Sequence, residues 1–440
     1  HIKTDTALLI FYHLSERIEF MYNFEKTDIS RADEFAKKNG IFQQTAGWAH
    51  FRKLFRPDAF VGTDENGETV LSCMLFRLPV YCTPWSIGYI TRGFVCDYEN
   101  RELVAEFTEY LKAYMKKKHI IYLIFDPFCD YKIDFKEPEN DICKFFESLG
   151  YIKNEKLVLQ PRTNYRLHID PKNDPKEEEK RLYSNFTVRL KNDIKFSHDR
   201  GAELHVSTPE TLDEYVEIFY KLLVETTDKK GFGRRDLDYY KKFASSLDPQ
   251  AKIYLYKYNS KKDKEYTEKV LADVHAQIKR FEDEIADPET TDKKRERLAP
   301  KLKEAYKQLE ATERRLKITE KYSDDPYLSA SFFIKMGNKA YNFYGANAGA
   351  LRELKLTANY WDMIKDSLDG QVTTFNMGGT LELNTDDLKK DPMYELYQYK
   401  CMYHGEFVEM PGEYFLIKSP KLFELFHNKL RYFRRMVFHF

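Results

Sequence analysis

Four short stretches hold residues whose types and spacing can do chemistry. In Tyr399-Lys400-Cys401-Met402-Tyr403-His404-Gly405-Glu406 a lysine stands among aromatic residues in what reads as a strand. A lysine drawn out of water there shifts its pKa readily; the plain alternative is an edge-strand lysine. Gly231-Phe232-Gly233-Arg234-Arg235-Asp236-Leu237-Asp238-Tyr239-Tyr240 sets two arginines beside a glycine turn and a helix start. That arrangement suits a phosphate, and the alternative is a solvated helix end. The apolar run Ile120–Phe125 stops at Asp126-Pro127. Ligands of α/β sheets gather at the carboxyl ends of strands, so Asp126 is either a site acid or a turn cap before proline. Last, Gln43-Gln44-Thr45-Ala46-Gly47-Trp48-Ala49-His50-Phe51-Arg52 places Trp48 and Arg52 four apart on one helical face. The plain reading is a core tryptophan with an arginine stretched along it.

Other chemistries are missing from the sequence. It has no GxGxxG and no GxxxxGK[ST] nucleotide loop, no GxSxG, and no His-rich metal pair. An acyl-CoA pyrophosphate loop calls for Arg or Gln where Asp228 stands. The cysteines Cys73, Cys82, Cys96, Cys129, Cys143 and Cys401 form no CxxC and no zinc spacing. They read as reduced thiols of a cytoplasmic protein, and neither a metal nor a bound cofactor is expected.

The elements that must position these residues alternate between helix and strand. Ser30 to Asn39 reads as a helix stopped by Gly40, and Asp64-Glu65-Asn66-Gly67 as the turn of a hairpin. Arg101 to Lys118 is an amphipathic helix ahead of the buried strand Ile120–Phe125, and Asp141 to Leu149 is a short helix. A second block follows: a helix over Glu177 to Arg200, a strand at Glu203 to Val206, a helix at Thr211 to Thr226 and a strand at Ala251 to Tyr258. Strands at Ala330 to Met336 and Ala340 to Tyr344, a helix at Ala358 to Leu368 and a strand at Thr373 to Met377 complete it. Between them, Tyr266 to Tyr322 is nearly all helix formers. Leu271, Val274, Ile278, Phe281 and Ile285, then Leu298, Leu302, Ala305, Leu309, Thr312 and Leu316, recur at steps of three and four. Asp287-Pro288 breaks the run, so the pattern is an antiparallel coiled-coil hairpin projecting ~30 Å. It is either a packing arm or a surface for a large partner such as RNA.

At ~150 residues per domain, 440 residues make two or three domains. With 33 Phe and 32 Tyr the chain can fill substantial cores, which excludes general disorder. Lys+Arg and Asp+Glu are both 71, so any nucleic-acid site must be a local patch. No apolar run approaches the ~20 residues that span a bilayer. Residues 1–20 lack the charge pattern and cleavage site of a signal peptide and read as a non-native leader, with Met21 as the natural start.

Taken in order, several motifs resemble one family. They are Gln43-Gln44-x-x-x-Trp48, Tyr89-Ile90-Thr91-Arg92-Gly93-Phe94, Asp126-Pro127, Phe232-Gly233-x-Arg235-x-x-x-Tyr239 and the helical hairpin. Tyr341-x-x-Tyr344-Gly345-Ala346, Arg352 with Asn359-Tyr360-Trp361, Phe375-Asn376-Met377-Gly378-Gly379 and Tyr399-Lys400-x-x-Tyr403-x-x-Glu406-x-x-Glu409 follow. This is similar to the FemABX family of non-ribosomal peptidyltransferases, from about Met21 to the C-terminus. The family pattern Phe-Lys-x-Gly-Phe is here Tyr399-Lys400-Cys401-Met402-Tyr403, and Phe94 replaces a family proline.

The resemblance implies a mixed α/β fold of two acetyltransferase-like domains, over residues 21–165 and 166–440, with the hairpin (263–322) inserted in the second. It implies transfer of an amino acid from aminoacyl-tRNA, the co-substrate, to the third-residue side-chain amine of a peptidoglycan precursor. That precursor is lipid II or its UDP-linked muropeptide relative, and the product is an interpeptide bridge. Hairpin-bearing members work on the lipid-linked form, and the hairpin is a candidate tRNA contact. Residue by residue, Arg52 matches a basic position that holds precursor phosphate, where the family usually has Lys. Arg235 and Tyr239 match the other half of that site, and Asp126 an acidic position in the cleft. Lys400 matches the lysine that stabilises the oxyanion, assisted by the Tyr399 backbone. Action at the inner face of the membrane implies peripheral membrane contact, for which the basic run Lys429 to Arg435 is a candidate; the plain reading of that run is a terminal amphipathic helix docked on the core. Two alternatives are a non-catalytic scaffold that binds tRNA or precursor, and an acyl-CoA-dependent acyltransferase.

Overall fold

The structure, a computed structural model, describes residues 21–429 apart from 81, 139–140, 156–158, 231–232, 358–359 and 384–385. The expected leader, Gly231, Phe232 and Asn359 of the motifs, and the basic run beyond residue 429 lie outside the described residues.

The chain starts with β1 (Asn23–Thr27), α1 (Ile29–Lys38), a 3-10 turn (Phe42–Gln44) and α2 (Ala46–Phe51). Next come β2 (Arg56–Thr63), β3 (Thr69–Pro79), β4 (Ser86–Ile90), β5 (Val95–Cys96), α3 (Arg101–Lys117), β6 (Ile120–Phe125), β7 (Lys132–Ile133), α4 (Ile142–Ser148) and β8 (Tyr151–Lys153). Gly67, at a φ of 78°, closes the β2–β3 hairpin by donating its N–H to the Asp64 carbonyl at 3.0 Å. All six residues of β6 are buried, as a strand covered on both faces requires. Helix α3 is capped by the Asn100 side chain and turns Leu103, Phe107, Leu111 and Met115 into the same core.

The second series runs β9 (Thr163–His168), α5 (Pro175–Asn185), α6 (Val188–Asp199), β10 (Ala202–Val206), α7 (Leu212–Lys230), α8 (Leu237–Ser246) and β11 (Ala251–Tyr258). Then come α9 (Ser260–Ala286), α10 (Asp292–Lys321), β12 (Tyr327–Met336), β13 (Lys339–Asn347), α11 (Gly349–Glu353) and α12 (Trp361–Asp366). The series ends with β14 (Thr374–Gly379), α13 (Tyr394–Cys401) and β15 (Glu406–Glu409), and β16 (Tyr414–Ile417) and α14 (Pro420–Phe423) follow. The helix expected over Glu177 to Arg200 is two helices. Phe186 turns into the core between them, and the Thr187 hydroxyl caps α6 by accepting from Leu190 N at 3.2 Å.

Two compact units result. The first takes the chain up to Tyr131, Pro138–Gln160 and the chain from Met410; the second takes Lys132–Glu137 and Pro161–Glu409. One sheet runs β1-β2-β3-β4-β6-β16-β8 and the other β10-β11-β12-β13-β14-β9-β15, with β7 added at its edge. The order is the same in both. Among the described strands each sheet has one parallel pair, β4 with β6 and β13 with β14. The sixth place is filled from outside the local run in both cases: β16 lies between β6 and β8, and β9 between β14 and β15. The expected division at residues 165 and 166, with the second domain running to 440, therefore shifts. A strand that pairs with a partner far upstream leaves no local mark in the sequence.

Helices α9 and α10 leave the second unit between β11 and β12 and pack on each other. Val274, Ile278 and Phe281 meet Leu298 and Ala305 along the seam. Lys294 pairs with Glu284 at 3.0 Å across the turn, so the two helices run antiparallel. Their root is held by a fully buried carboxylate. Asp263 accepts from Arg200 Nε at 3.0 Å and Nη2 at 3.1 Å, and from the Tyr258 hydroxyl at 2.7 Å. Asp263→Ala leaves the buried Arg200 guanidinium without its carboxylate. We expect it to lower stability by about 3–5 kcal/mol in urea unfolding; a loss under about 1 kcal/mol would mean the pair behaves as a solvated one.

Candidate active site

In the first unit the parallel strands β4 and β6 pair as far as Ile90 and Phe125, and the next residues carry the charges. Asp126 N donates to the Ile90 carbonyl at 3.2 Å, and both Asp126 and Arg92 are buried. Arg92 donates to the Asp126 carboxylate from its peptide N and from Nη1, both at 3.4 Å, and Nη1 also lies 3.2 Å from Met410 Sδ. Burial pushes the Asp126 pKa up, and the Arg92 charge and peptide N–H pull it back only in part. Asp126 is thus a more basic carboxylate than a surface aspartate.

Gln44 shapes the wall beside this pair. Its Nε2 donates to the Thr91 carbonyl at 2.7 Å, and its Oε1 accepts from Met74 N at 2.7 Å. A Cβ on residue 93 would lie 2.5 Å from the Gln44 amide, which is why Gly93 follows Arg92. Thr45 caps α2, and Arg52 stands at its other end. The Arg52 guanidinium lies 4.9 Å from the Phe55 ring and 5.9 Å from Trp48. Trp48 and Arg52 do share a face, as their spacing predicts.

In the second unit the parallel strands β13 and β14 pair only to Tyr341 and Asn376, then part. Tyr239 is bonded to the β13 side of the parting and Lys400 to the β14 side. Tyr239 starts α8, where the Asp236 carboxylate accepts from its N at 2.8 Å. Its hydroxyl is 3.3 Å from that of Tyr344, and the Arg235 guanidinium lies 5.8 Å over its ring. The neighbouring Arg234 is taken up by an ion pair with Asp228.

Lys400 is 1% exposed, and its Nζ donates to the carbonyls of Gly378 at 3.0 Å and Gly379 at 2.7 Å. No carboxylate among the described residues pairs with it. Burial alone pushes its pKa down to about 7. It sits in the last turn of a helix, not in the expected strand. Asp391 starts this region, its carboxylate accepting from Met393 N at 2.8 Å and its carbonyl from Tyr394 N at 3.0 Å. The chain leaves the helix at His404, whose φ is 51°, and only then forms β15. The run of tyrosines mimics a strand composition, while Tyr394, Tyr397 and Cys401 keep a helical spacing. The expected help from the Tyr399 backbone meets the same fact, because a mid-helix N–H is engaged by the helix ladder. Tyr399 contributes its hydroxyl, 3.1 Å from that of Tyr403, which accepts from Tyr360 N at 2.9 Å.

Three contributors escaped the residue reading. Arg92 was quotable as a basic residue between a strand end and a glycine. Gly378, at a φ of 80°, turns the carbonyls toward Lys400, and the repeated glycine was its only mark. Asn342 carries a buried Oδ1 with no hydrogen-bond partner among the described residues, just past the last parallel pair of β13. Among the described residues no group of three His, Cys, Asp or Glu is placed to hold a metal ion, and no helix is long and apolar enough to cross a membrane.

Two like-ordered mixed sheets, each with charged chemistry where its parallel strands part, define a two-unit α/β protein with a lysine-centred site. It belongs to the FemAB family, whose model matches residues 29–428. The chain is 26% identical over 408 residues to a lipid II:glycine glycyltransferase of Staphylococcus aureus, covering 89% of this chain and 92% of that one. A solved structure described as FemX superposes with a TM-score of 0.65 at 24% identity, over 92% of this chain and 99% of that chain. At that identity the likeness speaks for the fold.

The state of Lys400 has a pH signature. A lysine titrates near 10.4 in an unfolded chain, so between pH 7 and pH 10 the unfolded state binds the extra proton. Stability therefore rises with pH across that window. From pH 7 to pH 9 the wild type should gain about 2 kcal/mol over Lys400→Met in chemical unfolding. A constant difference between the two proteins would show a lysine in ordinary solvent.

Proposed function

We propose that the chain is an aminoacyltransferase of peptidoglycan bridge synthesis. It moves an amino acid from aminoacyl-tRNA to the third-residue side-chain amine of lipid II. The observation that carries this is Lys400, a buried ammonium with no carboxylate partner among the described residues, in a member of the FemAB family. The acceptor named in the staphylococcal relative's description supports lipid II. Each unit is read as acetyltransferase-like, supported by the common strand order and the single parting pair. The α9–α10 pair is read as a coiled coil, supported by its seam of Val274, Ile278, Phe281, Leu298 and Ala305.

The chemistry needs no covalent enzyme intermediate, because the aminoacyl ester is already activated. The acceptor nitrogen attacks the ester carbonyl, the C–N bond forms, and negative charge gathers on the carbonyl oxygen. The C–O bond to the terminal ribose then breaks, and that oxygen leaves as a hydroxyl. Freeing the acceptor amine of its proton at pH 7 costs about 4–5 kcal/mol. Of the protons the amine gives up, one goes to the departing ribose oxygen and the other to solvent. Lys400 supplies a donor to the oxyanion. Two of its N–H bonds are anchored on carbonyls, which leaves the third to point at developing charge. Arg52, and independently Arg235 with Tyr239, are assigned to the binding of precursor phosphate. The site of action is the cytoplasmic face of the membrane, where the headgroup of lipid II presents its peptide.

The test is a transfer reaction with lipid II and tRNA charged with a panel of labelled amino acids. Label in the lipid from one amino acid is the expected result and names the donor. Lys400→Met should lower turnover ~100-fold or more while the fold is kept. Near-normal turnover in that variant overturns the role of Lys400. No transfer with tRNA or lipid II still bound would make the protein a scaffold.

A further inference from the structure

Among the described residues of the second unit, two buried side-chain oxygens lack a hydrogen-bond partner: Asn342 Oδ1 and Thr380 Oγ1. Their residues are 8% and 5% exposed. A polar atom kept dry and unpaired costs stability, and such atoms are rare enough in folded proteins that each calls for a reason. Both stand beside the turn that anchors Lys400. A Cβ on Gly378 would lie 2.9 Å from the Asn342 carbonyl, so the two strands touch there. Thr380 is the residue after Gly379. The unpaired atoms thus belong to residues on either side of the two carbonyls to which Lys400 Nζ donates.

Chemistry narrows what these atoms can take. An amide oxygen only accepts hydrogen bonds, so Asn342 Oδ1 cannot serve an oxyanion. The other end of that amide is engaged. Asn342 hydrogen-bonds the Tyr360 hydroxyl and offsets part of the rise that burial gives its pKa, the sense expected of a donated N–H. A threonine hydroxyl accepts as well. A ligand nitrogen with two N–H bonds satisfies both oxygens. Lys400 already brings positive charge, and no carboxylate among the described residues answers it, so a neutral amine fits better than an ammonium. In an aminoacyl ester the place of one such nitrogen follows from Lys400: the α-amine is two bonds from the carbonyl carbon whose oxygen Lys400 meets. Free α-amino groups titrate at about 7.7–8.0, so the neutral form is available near neutral pH.

We propose that Asn342 and Thr380 recognise the donor by accepting the two N–H bonds of its α-amine, an assignment that rests on the aminoacyl-tRNA reading above. The same contacts turn the ester carbonyl toward Lys400 and select aminoacyl donors over simple acyl groups. A site built around buried polar atoms rejects a ligand that leaves them unpaired.

Transfer to lipid II by the full chain tests this with paired donors. One is tRNA carrying the amino acid that the transfer panel identifies. The other is the same tRNA carrying the acyl group that lacks only the α-amine, acetyl in place of glycyl or propionyl in place of alanyl. Wild type should favour the amino form by about 100-fold or more in kcat/KM. Asn342→Leu with Thr380→Val should cut that preference to about 10-fold or less. It should do so by slowing the amino donor alone, and the kept desamino rate reports that the variant is folded. Thr380→Ser in place of Thr380→Val should recover part of the preference, because it keeps the hydroxyl. No preference in wild type, or the same preference in the double variant, overturns the assignment and leaves the aminoacyltransferase reading intact. So does an equal loss with both donors, which would give the two oxygens to the acceptor amine or to the fold. If wild type transfers neither group, both readings fall.

Discussion

Lys400 holds its ammonium against two peptide carbonyls, with no carboxylate among the described residues to share the charge. An isolated buried charge is costly, and the group responds by releasing its proton more readily. Two features oppose that release. The carbonyl dipoles of Gly378 and Gly379 face the nitrogen, and the last turn of α13 places it at the negative end of a helix. The balance near pH 7 makes the group responsive to what enters the site. A developing oxyanion would restore the missing negative charge at the step where stabilisation is required.

That arrangement depends on where the strands part. A parallel pair inside an otherwise antiparallel sheet separates beyond its last hydrogen bond, and groups at the carboxyl ends face open space. Both sheets use this once, with different chemistry. After β4 and β6 the first unit places Arg92 and Asp126. After β13 and β14 the second places Asn342 and the two carbonyls that hold Lys400. Gly378 must be glycine twice over: its φ is 80°, and a Cβ there would lie 2.9 Å from the Asn342 carbonyl. The strand that fills the sixth place in each sheet comes from beyond its local run, so neither sheet is completed by neighbouring sequence alone.

Much of this was legible in the residues. The turn at Gly67 and the buried strand Ile120–Phe125 follow from local pattern, and the structure places them as read; of the periodic residues of the arm, Val274, Ile278, Phe281, Leu298 and Ala305 pack together. The motif from Tyr399 onward carried the family resemblance, yet its helix was read as a strand, because tyrosine-rich runs favour either state until packing decides. The break at Phe186 and Thr187 was missed because one buried aromatic and a cap interrupt an otherwise continuous helical composition. The sixth-place strands were hidden for a more general reason, since pairing between distant segments has no signature in either segment. At the site, Asp126 stood out at a strand end, while Arg92, Asn342 and Gly378 gain meaning only from the neighbours that the fold supplies.

The central claim is that Lys400 is a buried lysine poised between its charged and neutral forms. Its side-chain resonances can be followed directly by NMR titration of protein labelled with carbon-13 in lysine, assigned by their loss in Lys400→Met. The account predicts a midpoint near pH 7, far below that of the other lysines. A midpoint near the ordinary lysine value of about 10.4 would contradict it, and with it the view that this ammonium is held in a dry, carboxylate-free site.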